Sequence, residues 1–225
     1  MSVKTYSKAK NGSVKLSAHF CVSEFACPNT DTIKIDTDLV DILERLFAYL
    51  GCSKIIVTSG YRTASYDKQV GGDGKGYHTK GQAVDINCYY VKNGKETRYH
   101  GSDVCCALQS LGWTHGIGWI AGCAVHVDTR STQYWFDEQN GNRSIGTDWY
   151  TYMKKKGYTV AKPVAGDVDG NGKVDANDAL VVLQSTVNNT KLTEKQKATA
   201  DVNGDGKVNS TDALEILQKA TGKTK

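Results

Sequence analysis

Asp167-Val-Asp-Gly-Asn-Gly-Lys-Val-Asp-Ala-Asn-Asp178 returns 34 residues later as Asp201-Val-Asn-Gly-Asp-Gly-Lys-Val-Asn-Ser-Thr-Asp212. A calcium loop needs oxygen ligands at positions 1, 3, 5, 7, 9 and 12, with glycine at 6 for the sharp turn. The first copy supplies Asp167, Asp169, Asn171, the Lys173 carbonyl, Asp175 and Asp178, with Gly172 at the turn. The second supplies Asp201, Asn203, Asp205, the Lys207 carbonyl, Asn209 and Asp212, with Gly206. One copy alone reads as an Asx-rich turn that needs no metal. Two copies in register point to two calcium ions.

A helical apolar pattern follows each loop: Ala179, Leu180, Val182, Leu183 and Val187, then Ala213, Leu214, Ile216 and Leu217. Between them Thr193 and Gln196 have the spacing of a capping box. The end of the chain therefore reads as a small all-α module of two loop–helix repeats, residues 166–225. Residues 159–165, with Pro163 among them, read as a linker, and residues 1–158 as a first domain.

The first domain has mixed patterning. Asp36 or Thr37 opens a helix with the stripe Leu39, Val40, Ile42, Leu43, Leu46, Phe47 and Leu50, which Gly51 stops. Lys54–Ser59, Ala83–Tyr89 and Ala124–Thr129 read as strands, and Asp103–Leu111 as a helix. Without a regular βαβ rhythm, this predicts an α+β domain with an antiparallel sheet.

The chain has 225 residues, 39% of them hydrophobic, enough for a real core. No apolar run approaches the ~20 residues of a membrane span, and mean hydropathy is −0.45. A net charge of +4 is too small and too dispersed to argue for nucleic acid. Seven cysteines, none in a C-x-x-C, read as buried reduced thiols, although Cys21 and Cys27 are spaced to bridge a short loop. Met1–Ser7 has no apolar core of a secretory signal.

Five histidines are present, at 19, 78, 100, 115 and 126. His78 and Asp85 are seven apart entering a strand, and His126-Val-Asp128 lies on another. Side chains alternate along strands, so Asp85 and Asn87 share one face, as do Ala124, His126 and Asp128. His78, Asp85 and His126 would give three protein ligands with a fourth position open, as catalytic zinc requires. Spacing alone leaves open that these histidines only hydrogen-bond locally. His19 and His100 are read as structural or exposed.

The order Ser59-Gly-Tyr-Arg62, Tyr66, Val70-Gly-Gly72, His78-x6-Asp85, Gly116-Ile-Gly118 and His126-Val-Asp128 resembles the zinc D-Ala-D-Ala carboxypeptidase and peptidoglycan endopeptidase family, the LAS-type metallopeptidases. Leu16–Phe20 through Ser23–Cys27 is similar to the start of its lysin-like members. The resemblance covers about residues 12–150 and implies one zinc on His78, Asp85 and His126. It makes Arg62 the cation that stabilises the tetrahedral oxyanion. Where members carry Glu-x-x-His, or a histidine two before the last ligand, this chain has Cys123 and Ala124. The general base is thus Asp128 or His115, with Asp128 favoured as base or as partner of a ligand histidine.

The duplicated loops resemble a type I dockerin over about residues 166–222, without the entering helix of an EF-hand. That resemblance implies docking onto a cohesin of a scaffolding protein. Its recognition positions fall on Ala176-Asn177 and Ser210-Thr211, pairs that differ and so need not bind a cohesin equally. Together the resemblances imply a monomeric peptidase acting on the peptidoglycan stem, at the cell surface or outside the cell. A catalytically degenerate wall-binding module and a phage-type endolysin are the alternatives.

Overall fold

In the computed structural model, which describes residues 2–187 and 190–223, the chain divides into two compact units. One comprises Met1–Gln109 with Trp113–Val160, the other Ala161–Lys225 with Ser110–Gly112.

The first unit opens with β1 (Val3–Ser7), the one-turn α1 (Lys8–Asn11) and β2 (Thr32–Asp36), and β1 and β2 pair antiparallel. Asp36 caps α2 (Thr37–Leu50) by accepting from Asp38 N–H, and Gly51 ends it in a left-handed conformation. Leu39, Val40, Ile42, Leu43 and Leu46 form the buried stripe of α2. Next come β3 (Lys54–Ser59), α3 (Ala64–Gln69), α4 (Tyr77–Lys80), β4 (Ala83–Lys92), β5 (Lys95–Arg98) and α5 (Gly101–Ser110). The hairpin β6 (Gly116–Ala121) and β7 (Ala124–Asp128) leads to β8 (Tyr134–Asp137) and α6 (Trp149–Lys155).

The main sheet runs β3-β4-β7-β6-β8, with β5 on the free part of β4. All pairs are antiparallel except β6–β8. The α+β domain with a mostly antiparallel sheet is as expected, and its one parallel pair arises because β8 enters from a turn after β7 and lies beyond β6, so it runs with β6.

Alternation gives the sheet two unlike faces. Val84, Ile86, Ile117, Trp119, Val125 and Val127 are fully buried on one. Each such side chain contributes roughly 1.5–3 kcal/mol by leaving water. Asp85, His126 and Asp128 occupy the other face. All seven cysteines are free thiols, so the short-loop bridge between Cys21 and Cys27 is not formed.

The second unit contains α7 (Ala176–Val187), α8 (Glu194–Ala200) and α9 (Ser210–Ala220). Thr193 and Gln196 form the expected capping box on α8. That helix ends directly before Asp201, so the second loop does follow a helix. Val168, Ala179, Val182, Ala200, Ala213 and Ile216 make the core. Leu180, Leu183, Val187, Leu214 and Leu217, part of the same apolar pattern, are exposed instead. No helix among the described residues is long and apolar enough to cross a membrane.

Candidate metal centre and calcium loops

Strand register builds the first site. Asp85 on β4 lies directly across from His126 on β7, and Ala83 across from Asp128. His126 Nδ1 is 2.9 Å from Asp85 Oδ1. His78, on the short α4, brings Nε2 to 3.3 Å from the same oxygen. One ligand atom from each of the three lies within 4.8 Å of the others.

The outer nitrogens are also held. His78 Nδ1 is 2.8 Å from the Gly60 carbonyl. A carbonyl only accepts, so Nδ1 carries a proton, and Nε2 is the nitrogen turned towards Asp85. His126 Nε2 is 3.0 Å from Asp128 Oδ2. Ligand histidines steadied in this way by an oxygen are the usual surroundings of a metal, so the donor set fits one.

Arg62 anchors the other side of Asp85. Its Nη2 donates to Asp85 Oδ2 at 2.7 Å, Nη1 to Asp67 Oδ1 at 3.2 Å, and Nε to Ser59 Oγ at 2.8 Å. Its backbone N–H donates to the His78 carbonyl, tying the end of β3 to α4.

Asp128 is fully buried. Arg130 grips it, with Nε 2.8 and 2.9 Å from its two oxygens and Nη2 on Oδ2. Gly116 on β6 is the register partner of Asp128, and a Cβ there would collide with the Asp128 carboxylate. Gly118, opposite His126, likewise makes room for the Phe136 ring.

Electrostatics follow from these contacts. Burial alone would raise the Asp85 carboxyl, but hydrogen bonds from His126 and His78 and their charges hold it well below the usual range. Asp128 is lowered in the same way, burial being outweighed by His126 and Arg130. Burial pushes His126 down, yet Asp128 and Asp85 raise it to about 9.

In the second unit the two loops have nearly the same internal wiring. Asp178 and Asp212 are fully buried in the first turns of α7 and α9. Asp178 accepts from the backbone N–H of Val168, Asp169 and Asp175, and Asp212 from those of Val202 and Asn209. Asp167 accepts from Gly170 and Gly172, and Asp201 from Gly204 and Gly206. Asn171 and Asp205 accept from Lys173 and Lys207, and Asp175 and Asn209 from Asn177 and Thr211. Oxygens of Asp167, Asp169 and Asp178 gather within 4.8 Å, an arrangement that fits calcium.

Residues 18–115 match the family Peptidase M15, and residues 165–219 match the dockerin type I domain. The chain joins a peptidase M15 domain to a type I dockerin. The M15 match ends before β7, so His126 is placed by strand pairing with Asp85 rather than by the matched segment. A solved complex of the third ScaC cohesin with a ScaB dockerin from Acetivibrio cellulolyticus is similar at 33% identity. It covers 28% of this chain and 90% of that one, with a TM-score of 0.27. No curated protein matches the chain.

The triad of His78, Asp85 and His126 opens into a cavity of about 710 Å³. Arg62, Arg130, Tyr77, Tyr134, Phe136 and Glu138 are among its walls. Of these, only Arg62 stands out in the sequence. The others come from loops and from β8, whose placement no local periodicity announces.

His115 is not part of the cavity wall, and its Nδ1 is 2.6 Å from the Arg130 carbonyl. His19 pairs with Glu44 and stacks on Phe47, while His100 bonds Ser102. Cys123 is a half-buried free thiol between β6 and β7. On the dockerin, Ala176, Asn177, Ser210 and Thr211 are all exposed at the starts of α7 and α9.

Proposed function

We propose that the chain is a zinc metallopeptidase that hydrolyses peptide bonds of the peptidoglycan stem. Its dockerin tethers it, outside the cell, to the cohesin-bearing scaffold of a cellulosome-type assembly. The observation that carries the catalytic half is the convergence of His78 Nε2, Asp85 Oδ1 and His126 Nδ1 on one point of an M15 domain. Zinc held by these three would supply a Lewis acid for the scissile carbonyl and an activated water.

The remaining work falls to the chain's own groups. The Arg62 guanidinium is braced against Ser59, Asp67 and Asp85, so it meets negative charge developing on the carbonyl oxygen without reorganising. Gly60 and Asp128 fix the rings of His78 and His126. Of the two roles weighed for Asp128 we assign it this holding one, because Arg130 and His126 already occupy both its oxygens.

In the dockerin, the six ligand positions of each loop take one calcium apiece. Two faces related by the repeat then offer a cohesin Ala176-Asn177 beside exposed Leu180 and Leu183, or Ser210-Thr211 beside exposed Leu214 and Leu217. Exposed leucines on a small helical module favour a protein partner over solvent.

Digesting purified peptidoglycan with and without chelator, and identifying new termini by mass spectrometry, tests the reading. New chelator-sensitive peptide termini support it and separate a carboxypeptidase from an endopeptidase cut. Zinc uptake with no new termini would instead favour a degenerate wall-binding module.

A further inference from the structure

Arg130 is braced on three sides and has no part in the chemistry above. Asp128 takes its Nε and Nη2. Its guanidinium carbon sits 4.7 Å from the Tyr77 ring centroid and 4.4 Å from that of Tyr134, so two aromatic faces pack it. Its Nη1 has no hydrogen-bond partner among the described residues, and the side chain lines the cavity of the triad. Arg62, by contrast, spends Nε, Nη1 and Nη2 on its neighbours.

A guanidinium fork fixed in advance, with donors left over, is suited to a carboxylate, because no rotamer freedom is lost on binding. Arg130 reaches the triad through two direct hydrogen bonds, by way of Asp128 to His126. That path spans about two residues of extended peptide.

We propose that Arg130 is a specificity determinant of the cavity, holding a carboxylate that the substrate carries within about two residues of the scissile bond. The inference rests on the peptidase reading of the same cavity. The carboxylate has two possible sources, the peptide's own C-terminus or an acidic residue inside the stem.

Three matched stem peptides separate them: the free acid, its C-terminal amide, and the acid with its internal carboxylate amidated. Affinities are measured by calorimetry on the full-length protein stripped of zinc, so that nothing is cleaved, and cleavage is measured separately on the zinc-loaded protein. One amidation is expected to weaken binding about tenfold or more, identifying the source, and Arg130→Gln to erase that difference. Because the readout is a ratio within one protein, general damage to the fold cancels. Arg130→Lys, which keeps charge but loses the fork, should show an intermediate ratio and decides the matter if the glutamine variant does not fold. Equal affinity for all three peptides, or a preference that survives in the variants, overturns the proposal. Preference without any cleavage by the zinc-loaded protein would leave the Arg130 site standing and remove the peptidase reading.

Discussion

Asp85 and His126 face each other across the β4–β7 pair, with Asp85 Oδ1 2.9 Å from His126 Nδ1 and 3.3 Å from His78 Nε2. A single carboxylate oxygen thus collects two imidazoles from different elements, and its other oxygen takes Arg62. The site is a property of strand register.

His126→Ala removes one of the three ligands. Zinc uptake and peptide turnover should both be lost, while helices α7 and α9 of the dockerin keep their hydrogen-exchange protection. Stoichiometric zinc in this variant by elemental analysis would sink the assignment.

Asp128→Asn tests the holding role. Removing a partner of a metal-ligating histidine typically costs 10–100-fold in affinity, so zinc binding should weaken by roughly that factor. A proton-moving role predicts the reverse, unchanged zinc affinity with turnover down by about 10²–10⁴. Competition with a zinc-binding dye and a turnover assay on the zinc-saturated variant distinguish the two.

The His126 imidazole gives a pH signature. Its metal-free value is raised to about 9 by Asp128 and Asp85 against the pull of burial, from ~6.5 in an unfolded chain. Its contribution to stability of the metal-free fold is therefore complete below ~6.5 and is lost as pH rises through the folded value. Zinc must displace the same proton. Uptake near neutral pH should release about one proton, and apparent affinity should climb roughly tenfold per pH unit until His126 is neutral. Zinc titration in weak buffer with an indicator dye measures this, and absence of proton release contradicts it.

In the dockerin, Asp178 and Asp212 are buried carboxylates, and the first loop brings Asp167 and Asp169 beside Asp178. Without the cation these repel, and binding energy becomes folding energy. A calcium-selective chelator should strip exchange protection from α7 and α9 of the full chain and leave α2 protected. Unchanged protection would argue against calcium.

Gly118→Ala places a methyl group against the Phe136 ring beside the triad. Overpacking of this kind costs about 1–3 kcal/mol. The thermal midpoint of the M15 domain should fall, and a midpoint equal to the parent's would mean that Phe136 simply moves aside.

The calcium loops, the capping box and the strand faces were legible in the sequence because each depends on residues a few positions apart. Twelve-residue ligand spacing, a Thr193–Gln196 cap and the alternation that puts His126 with Asp128 are all local. Tertiary structure alone decided that β4 pairs with β7 so that Asp85 meets a histidine 41 residues away. It also decided that the Gly60 carbonyl fixes the His78 tautomer, that Arg130 closes on Asp128, and that β8 runs parallel to β6. The same holds for the leucines of α7 and α9. Their helical period marks them as apolar, but only the packing of the core shows that Leu180 and Leu214 stay outside it. Periodicity and capping are fixed by neighbouring residues along the chain, whereas register, loop docking and exposure depend on which distant surfaces exclude water together.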